Sequence, residues 1–304
     1  MPKYFYTLLK AAFALAMLLA LIVWVETQYG WASTLANWSK ISVWQVVLLA
    51  IGVFSSHLLR VSRVFAAYTF KQPVSFKSVS AVSFLHNTIS FLLPMRLGEL
   101  ALPALGKHQL AIDYRYSAAV LLLLRLFDAH VLLCLLVFFA GTAWLKYYAW
   151  IAPLVLLAGL PLGVHVLKIM SAQITKLAFA TPLVSDTRRW LTLYGYTVAI
   201  WVVKLFSLAM LASVLGGIPL NHAWLATILA DGSALSPVTG FANAGTFELA
   251  FALPLKPLGY AMESMVQIAV NVHIFIFVTN IAVGIVGFLL LQNKHTQTSP
   301  ESHA

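Results

Sequence analysis

"SFLLPMRLGEL", residues 90–100, places a proline, an arginine, a glycine and a glutamate between two apolar stretches. Proline removes a backbone donor and ends a helical turn, and glycine lets the chain reverse sharply. The surrounding apolar region, 79–106, is thereby cut into pieces of about 10 to 15 residues, too short to cross a bilayer singly. It reads as a re-entrant helical hairpin. Residues 224–255 are broken in the same way by "SPVTGFANAGTFELAF", residues 236–251, and read as a second one.

Between these interruptions lie apolar segments at 6–25, 41–59, 117–140, 148–167, 191–215 and 265–291, each long enough to cross a hydrocarbon core of roughly 30 Å. Charged residues make up only 9% of the chain and mean hydropathy is +0.90, against about 25% charge in soluble domains. The expectation is an all-α polytopic membrane protein with six transmembrane helices and two re-entrant hairpins. It forms a single transmembrane domain over 1–294, followed by a polar tail at 295–304. Lys3 and Lys10 precede the first apolar core as in a secretory signal, but Val25-Glu26-Thr27-Gln28 offers a poor cleavage site. The segment is therefore read as the first membrane helix.

The formal net charge of +10 does not indicate nucleic acid, because the basic residues stand singly between apolar runs. It follows topology instead. With the N-terminus inside, the cytoplasmic side collects Lys3, Lys10, Arg60, Arg63, Lys71, Lys77, Lys107, Arg115, Lys168, Lys176, Arg188, Arg189 and Lys294, and the outside Lys40, Lys146 and Lys256. This balance holds only if each broken region returns to the side it came from. The order crossing, crossing, hairpin, crossing then occurs over 1–140 and again over 147–291. Three crossings per half make the repeat inverted, a plan common among transporters.

Charged residues expected at membrane depth are Arg96, Glu99, Arg125, Asp128, Lys204, Asp231 and Glu248. At the bilayer centre an Arg, Lys or Asp costs about 2.5 kcal/mol or more, so these should face protein or trapped water. Arg125 and Asp128, three apart on one helix face, can form a structural ion pair. Lys204 has no partner within its own helical turn and can snorkel. Unwound backbone at depth survives where protein or a wet cavity satisfies it, which makes the two tips the sharper signal. Arg96, Gly98 and Glu99 mark the first tip, and Pro237, Gly240, Asn243, Gly245 and Glu248 the second. His86, Asn87, Asn271, His273 and Asn280 read as hydrogen-bonding ties between helices. Trp24, Trp31, Trp38, Trp144, Trp150 and Trp190 read as interface anchors.

Cys134 is the only cysteine, so neither an intramolecular disulfide nor a paired-cysteine metal site can form. No phosphate-binding Gly-rich loop, His-Glu-x-x-His pair or Gly-x-Ser-x-Gly element is present. No cofactor, metal or catalytic residue is assigned.

"LPMRLGEL", the later "RLFD" and "SPVTGFANAGTFELA" together resemble the motifs of the flippase-like membrane domain of lysylphosphatidylglycerol synthetases and its stand-alone relatives. The resemblance implies lipid translocation, with Arg96, Glu99, Arg125, Asp128, Gly245 and Glu248 on motif positions. Where many relatives carry an arginine a few residues after Gly-Glu, this chain has Leu102 and Pro103. The resemblance does not extend to a soluble aminoacyl-transferase half, so lysyl-lipid synthesis by this chain alone is not expected.

The function expected is a lipid flippase or facilitator for an anionic or zwitterionic headgroup, in a bacterial cytoplasmic membrane, with both termini cytoplasmic. Arg96, Arg125 and Lys204 would hold the phosphate. Glu99, Asp128, Asp231 and Glu248 would orient them or carry protons. The partners implied are membrane lipids, with room for a separate lipid-modifying enzyme. The alternatives are an intramembrane headgroup transferase or hydrolase with Glu99 or Glu248 as base, and a non-transporting assembly subunit.

Overall fold

The computed structural model describes residue 16 and residues 19–144, 149–173, 181–235 and 240–296, and over these the chain is all-helical. The helices are α1 (Leu19–Gln28), α2 (Trp31–Ala36), α3 (Val43–Thr69), α4 (Phe76–Leu92), α5 (Ala101–Leu110), α6 (Tyr114–Trp144), α7 (Ile151–Gln173), α8 (Thr181–Val184), α9 (Thr187–Gly216), α10 (Leu220–Gly232), α11 (Thr246–Ala252) and α12 (Met262–Thr296). Five of them, α3, α6, α7, α9 and α12, are long and apolar enough to cross a membrane. The protein is a multi-pass membrane protein. The sixth crossing expected over 6–25 falls mostly outside the described residues, which give only the short apolar α1. Lys3, Lys10, Lys146, Lys176, Pro237 and most of the 295–304 tail also lie outside them.

Helix α3 corrects the sequence reading most. A capping box starts it: the Gln45 N–H donates to Ser42 Oγ at 3.3 Å, and the Ser42 N–H donates to Gln45 Oε1 at 2.9 Å. It then runs on through Arg60 and Arg63 to Thr69, where the sequence reading ended the crossing at residue 59. Arg60 and Arg63, expected in a cytoplasmic loop, are therefore within a helix about 40 Å long. Two arginines three apart with apolar neighbours keep one helical face polar and let the other pack.

Helices α3 and α9 form an antiparallel central pair. Lys40, ahead of α3, donates to the carbonyl of Leu215 near the end of α9 at 3.0 Å. At the other end Arg189, in the first turn of α9, stacks over Phe70 just past α3 at 5.2 Å. The two helices approach closely where a Cβ at Gly52 would overlap Ser207 Oγ, and Val53 of α3 and Leu205, Leu208 and Leu211 of α9 are fully buried. Trp190, expected to anchor at an interface, is buried here too.

The two broken regions form the remaining pairings. Pro94 opens a 3-10 turn over Pro94–Leu100 that joins α4 to α5. A Cβ at Gly98 would overlap the Ile89 carbonyl and Ser90 Cα, so only glycine lets the turn lie against the end of α4. Helix α5 packs back along α4, and the Gln72 amide donates to the Leu110 carbonyl at 3.2 Å, closing the base of the loop-back. In the second region α11 packs back on α10, and His222 Nδ1 meets the Tyr260 hydroxyl at 2.9 Å, closing its base in the same way. The first base lies where α3 ends and the second where α9 ends. Because α3 and α9 are antiparallel, the two bases sit at opposite ends of the bundle. Helix α4 packs on α12 and α10 on α6, so each shorter helix is braced by the long final helix of the other half.

Candidate functional site

Helices α3, α4, α6, α9, α10 and α12 and the first turn meet around a polar cavity of about 150 Å³, lined among others by Arg60, Glu99, Arg125, Asp128, Lys204 and Asp231. Asp128, on α6, is its structural node, with a side chain only 1% exposed. Arg63 of α3 donates to Asp128 Oδ1 at 2.7 Å, and the Trp201 indole N–H of α9 donates to the same oxygen at 2.9 Å. Arg125 donates to Asp128 Oδ2 at 3.1 Å. Arg63 also donates to Thr197 Oγ1 at 2.8 Å, so one buried carboxylate ties α3, α6 and α9 together. In a low-dielectric interior such a carboxylate persists because its charge is matched and its lone pairs are filled.

The network extends to the first turn. Arg125 grips Glu99 with two nitrogens, Nε at 2.9 Å from Oε2 and Nη2 at 2.7 Å from Oε1. This fork-to-fork contact fixes Glu99 at the tip that Gly98 brings against α4. Arg125 thus forms the pair expected with Asp128 and reaches further, bridging the turn to α6.

Across the cavity Lys204 of α9 donates to both oxygens of Asp231 at 2.7 and 2.6 Å. The two side chains are 13% and 12% exposed, and this pairing replaces the snorkelling expected of Lys204. Arg60 and Lys204 both lie over the Trp201 ring, 5.2 and 5.4 Å from its centre, an arrangement that the ring's electron-rich face favours.

The second tip divides. Asn243 lines the cavity, and its amide donates to Ser233 Oγ at 2.8 Å. Ala242 and Asn243 both take left-handed backbone angles, φ 49° and 66°. That conformation is costly for alanine, and the surrounding contacts must hold it. Gly245, at φ 81°, and Glu248 are not among the residues lining the central cavity. Glu248 accepts the Gly245 N–H at 2.8 Å and caps α11, while its other oxygen meets His273 Nδ1 at 2.7 Å. The remaining ring nitrogen of His273 meets the Ala242 carbonyl at 2.7 Å. Glu248 is 2% exposed, a buried brace where the sequence suggested a carboxylate facing a wet gate.

Of the sequence-predicted residues, then, Glu99, Arg125, Asp128, Lys204, Asp231 and Asn243 come together at the cavity. Gly98 and Gly245 shape turns. Arg96 sits within the first turn, and its side chain lies outside the described residues. Sequence reasoning missed Arg60, Arg63, Trp201 and His57. The signal was there: the apolar helical pattern continues through "RVSRVFAAY", residues 60–68, and ending the segment at the first arginine discarded it.

From residue 8 to residue 284 the sequence matches the family model for the lysylphosphatidylglycerol synthase transmembrane region. Neither the curated proteins nor the solved structures give a match. A family match over nearly the whole chain joins the sequence motifs and the intramembrane charge cluster, and the protein belongs to the family of the lysylphosphatidylglycerol synthase transmembrane region.

Proposed function

We propose that the protein is a lipid flippase or facilitator whose central cavity receives an anionic or zwitterionic headgroup as it passes between leaflets. The observation that carries this reading is the position of the cavity. It lies between the tips of two loop-backs whose bases are at opposite ends of the antiparallel α3–α9 pair. Read as re-entrant hairpins in an inverted repeat, these tips become gates to opposite faces of the membrane. The reciprocal bracing of α4 by α12 and α10 by α6 supports the repeat. Lys71, Lys77, Lys107, Arg115, Arg188 and Arg189 gather at the end where α3 finishes, with Lys40 and Lys256 at the other, which supports a cytoplasmic assignment for the former. A bacterial cytoplasmic membrane with both termini inside agrees with that orientation.

In this reading Glu99, Arg125, Lys204, Asp231 and Asn243 form the wall that the headgroup meets. Arg63 and Asp128 hold the helices in register. A headgroup transferase or hydrolase would need a free carboxylate as base. Glu99, Asp128 and Asp231 are each held by a cation, which supports transport over chemistry.

Reconstitution of the purified protein in liposomes tests the proposal. Leaflet sidedness of fluorescent phospholipids and glycolipids is followed by quenching of the outer leaflet, with the lipids recovered afterwards for mass analysis. A flippase moves at least one of them and returns it chemically intact. An altered headgroup would assign an enzyme, and a static distribution of every lipid would remove the transport reading.

A further inference from the structure

The charges of the described side chains around the cavity do not balance once Arg63 is counted with those that line it. Among the described side chains of the cluster, Arg63 and Arg125 face Asp128 and Glu99, and Lys204 faces Asp231. Arg60 alone has neither an ion pair nor a hydrogen bond, and its guanidinium lies over the Trp201 ring at 5.2 Å. A cation–π contact leaves the five guanidinium donors of Arg60 unfilled. The sequence reading of Arg60 as a loop residue concealed this surplus.

An independent observation points to the same space. Asn87 Nδ2, Ser90 Oγ and both ring nitrogens of His57 are buried without a hydrogen-bond partner, and all three residues line this cavity with Arg60. Buried polar atoms are nearly always paired, and leaving one unpaired costs about 1–3 kcal/mol. Asn87 and Ser90 lie on α4 near the first turn, and His57 lies one helical turn before Arg60 on α3. One uncompensated guanidinium and a set of neutral donors converge on one cavity.

The geometry points to a subsite for a singly charged oxyanion, with Arg60 as the residue that binds it and Asn87, Ser90 and His57 as neutral donors around it. A guanidinium recognises planar pairs of oxygens, and the one guanidinium left without a carboxylate partner is matched by one negative charge. A phosphodiester is the form in which a membrane lipid carries it. This inference rests on the lipid reading for its source and narrows it from anionic or zwitterionic to anionic. It also separates Arg60, which contacts the ligand, from Arg63 and Arg125, which are held by carboxylates of the fold.

Binding to the purified full-length protein in non-ionic detergent, measured by calorimetry, tests this without transport. The probes are a short-chain phosphatidylmethanol, which is singly negative, a short-chain phosphatidylcholine, which is zwitterionic, and dimethyl phosphate, the same charge without tails. Wild type is expected to bind phosphatidylmethanol about tenfold or more tightly than phosphatidylcholine. Arg60→Gln should abolish that preference, and Arg60→Lys should recover part of it. Ser90→Ala, which removes no hydrogen bond of the folded chain, should weaken phosphatidylmethanol several-fold and decides the matter if Arg60→Gln fails to fold. Arg60-dependent binding of dimethyl phosphate as tight as that of the lipid would uphold the oxyanion subsite while assigning it to a free anion, against the lipid reading. Equal affinity of wild type for both lipids, or an Arg60→Gln protein that folds and keeps the preference, would overturn the inference.

Discussion

Asp128 concentrates more of the fold on one side chain than any other residue of the cluster. It accepts from Arg63, Arg125 and Trp201, and Arg63 is itself only 4% exposed. Removing the carboxylate strands a buried guanidinium, which costs about 3–5 kcal/mol. Asp128→Leu should therefore lower the melting temperature of detergent-solubilised protein strongly. Arg63→Leu with Asp128→Leu should melt higher than Asp128→Leu alone, because Arg125 keeps Glu99. Arg125→Leu with Asp128→Leu should remain unstable, because Arg63 still has no carboxylate. Identical melting of the two doubles would remove Arg63 from its assigned place. The sequence carried the Arg125–Asp128 pair, since three residues along a helix bring side chains to one face. Arg63 was out of reach, because 65 residues separate it from Asp128 and only tertiary packing brings them together. The same holds for Lys204 and Asp231, each visible as a costly charge in an apolar segment but not as a pair.

At the level of elements, the turns decide where the charges go. Gly98 presses the Pro94–Leu100 turn against the end of α4, and a methyl group there has no space. Gly98→Ala should cost about 1–3 kcal/mol by overpacking and displace Glu99 from Arg125, lowering both stability and any lipid movement. The two tip glutamates should behave differently. Glu248 caps α11 and pairs with His273 in the interior, so Glu248→Ala should reduce folded yield, whereas Glu99→Ala, at the edge of the cavity, should fold. Size-exclusion profiles of the two variants check this, and comparable yields would contradict the capping role. Broken apolar stretches revealed α4, α5, α10 and α11 in the sequence, because proline and glycine punctuate helices strongly. The true length of α3 was lost because hydropathy falls at Arg60 although the helix continues. A polar residue facing a cavity and one in a loop look alike in a hydropathy trace.

In the whole molecule, one charged cavity lies between two loop-backs closed at opposite ends. Cysteines at positions 71 and 107 should label with an impermeant thiol reagent from one face of the membrane, and cysteines at 40 and 256 from the other. Labelling of 71 and 107 from opposite faces would make the first broken region a crossing and end the inverted-repeat reading. The five long apolar helices were readable from segment lengths. The cavity was not, because it is built from α3, α4, α6, α9, α10 and α12, whose order in the chain says nothing of their adjacency. The claim that this cavity carries a headgroup is tested most directly by lipid movement in proteoliposomes with the Lys204–Asp231 pair neutralised together. Lys204→Gln with Asp231→Asn keeps size and hydrogen bonding and strands no charge, so the protein should fold and melt near the wild-type temperature. Movement of the transported lipid is expected to fall about tenfold or more in this folded protein. Wild-type movement in the double variant would show that the pair only holds helices together and would contradict the headgroup pathway.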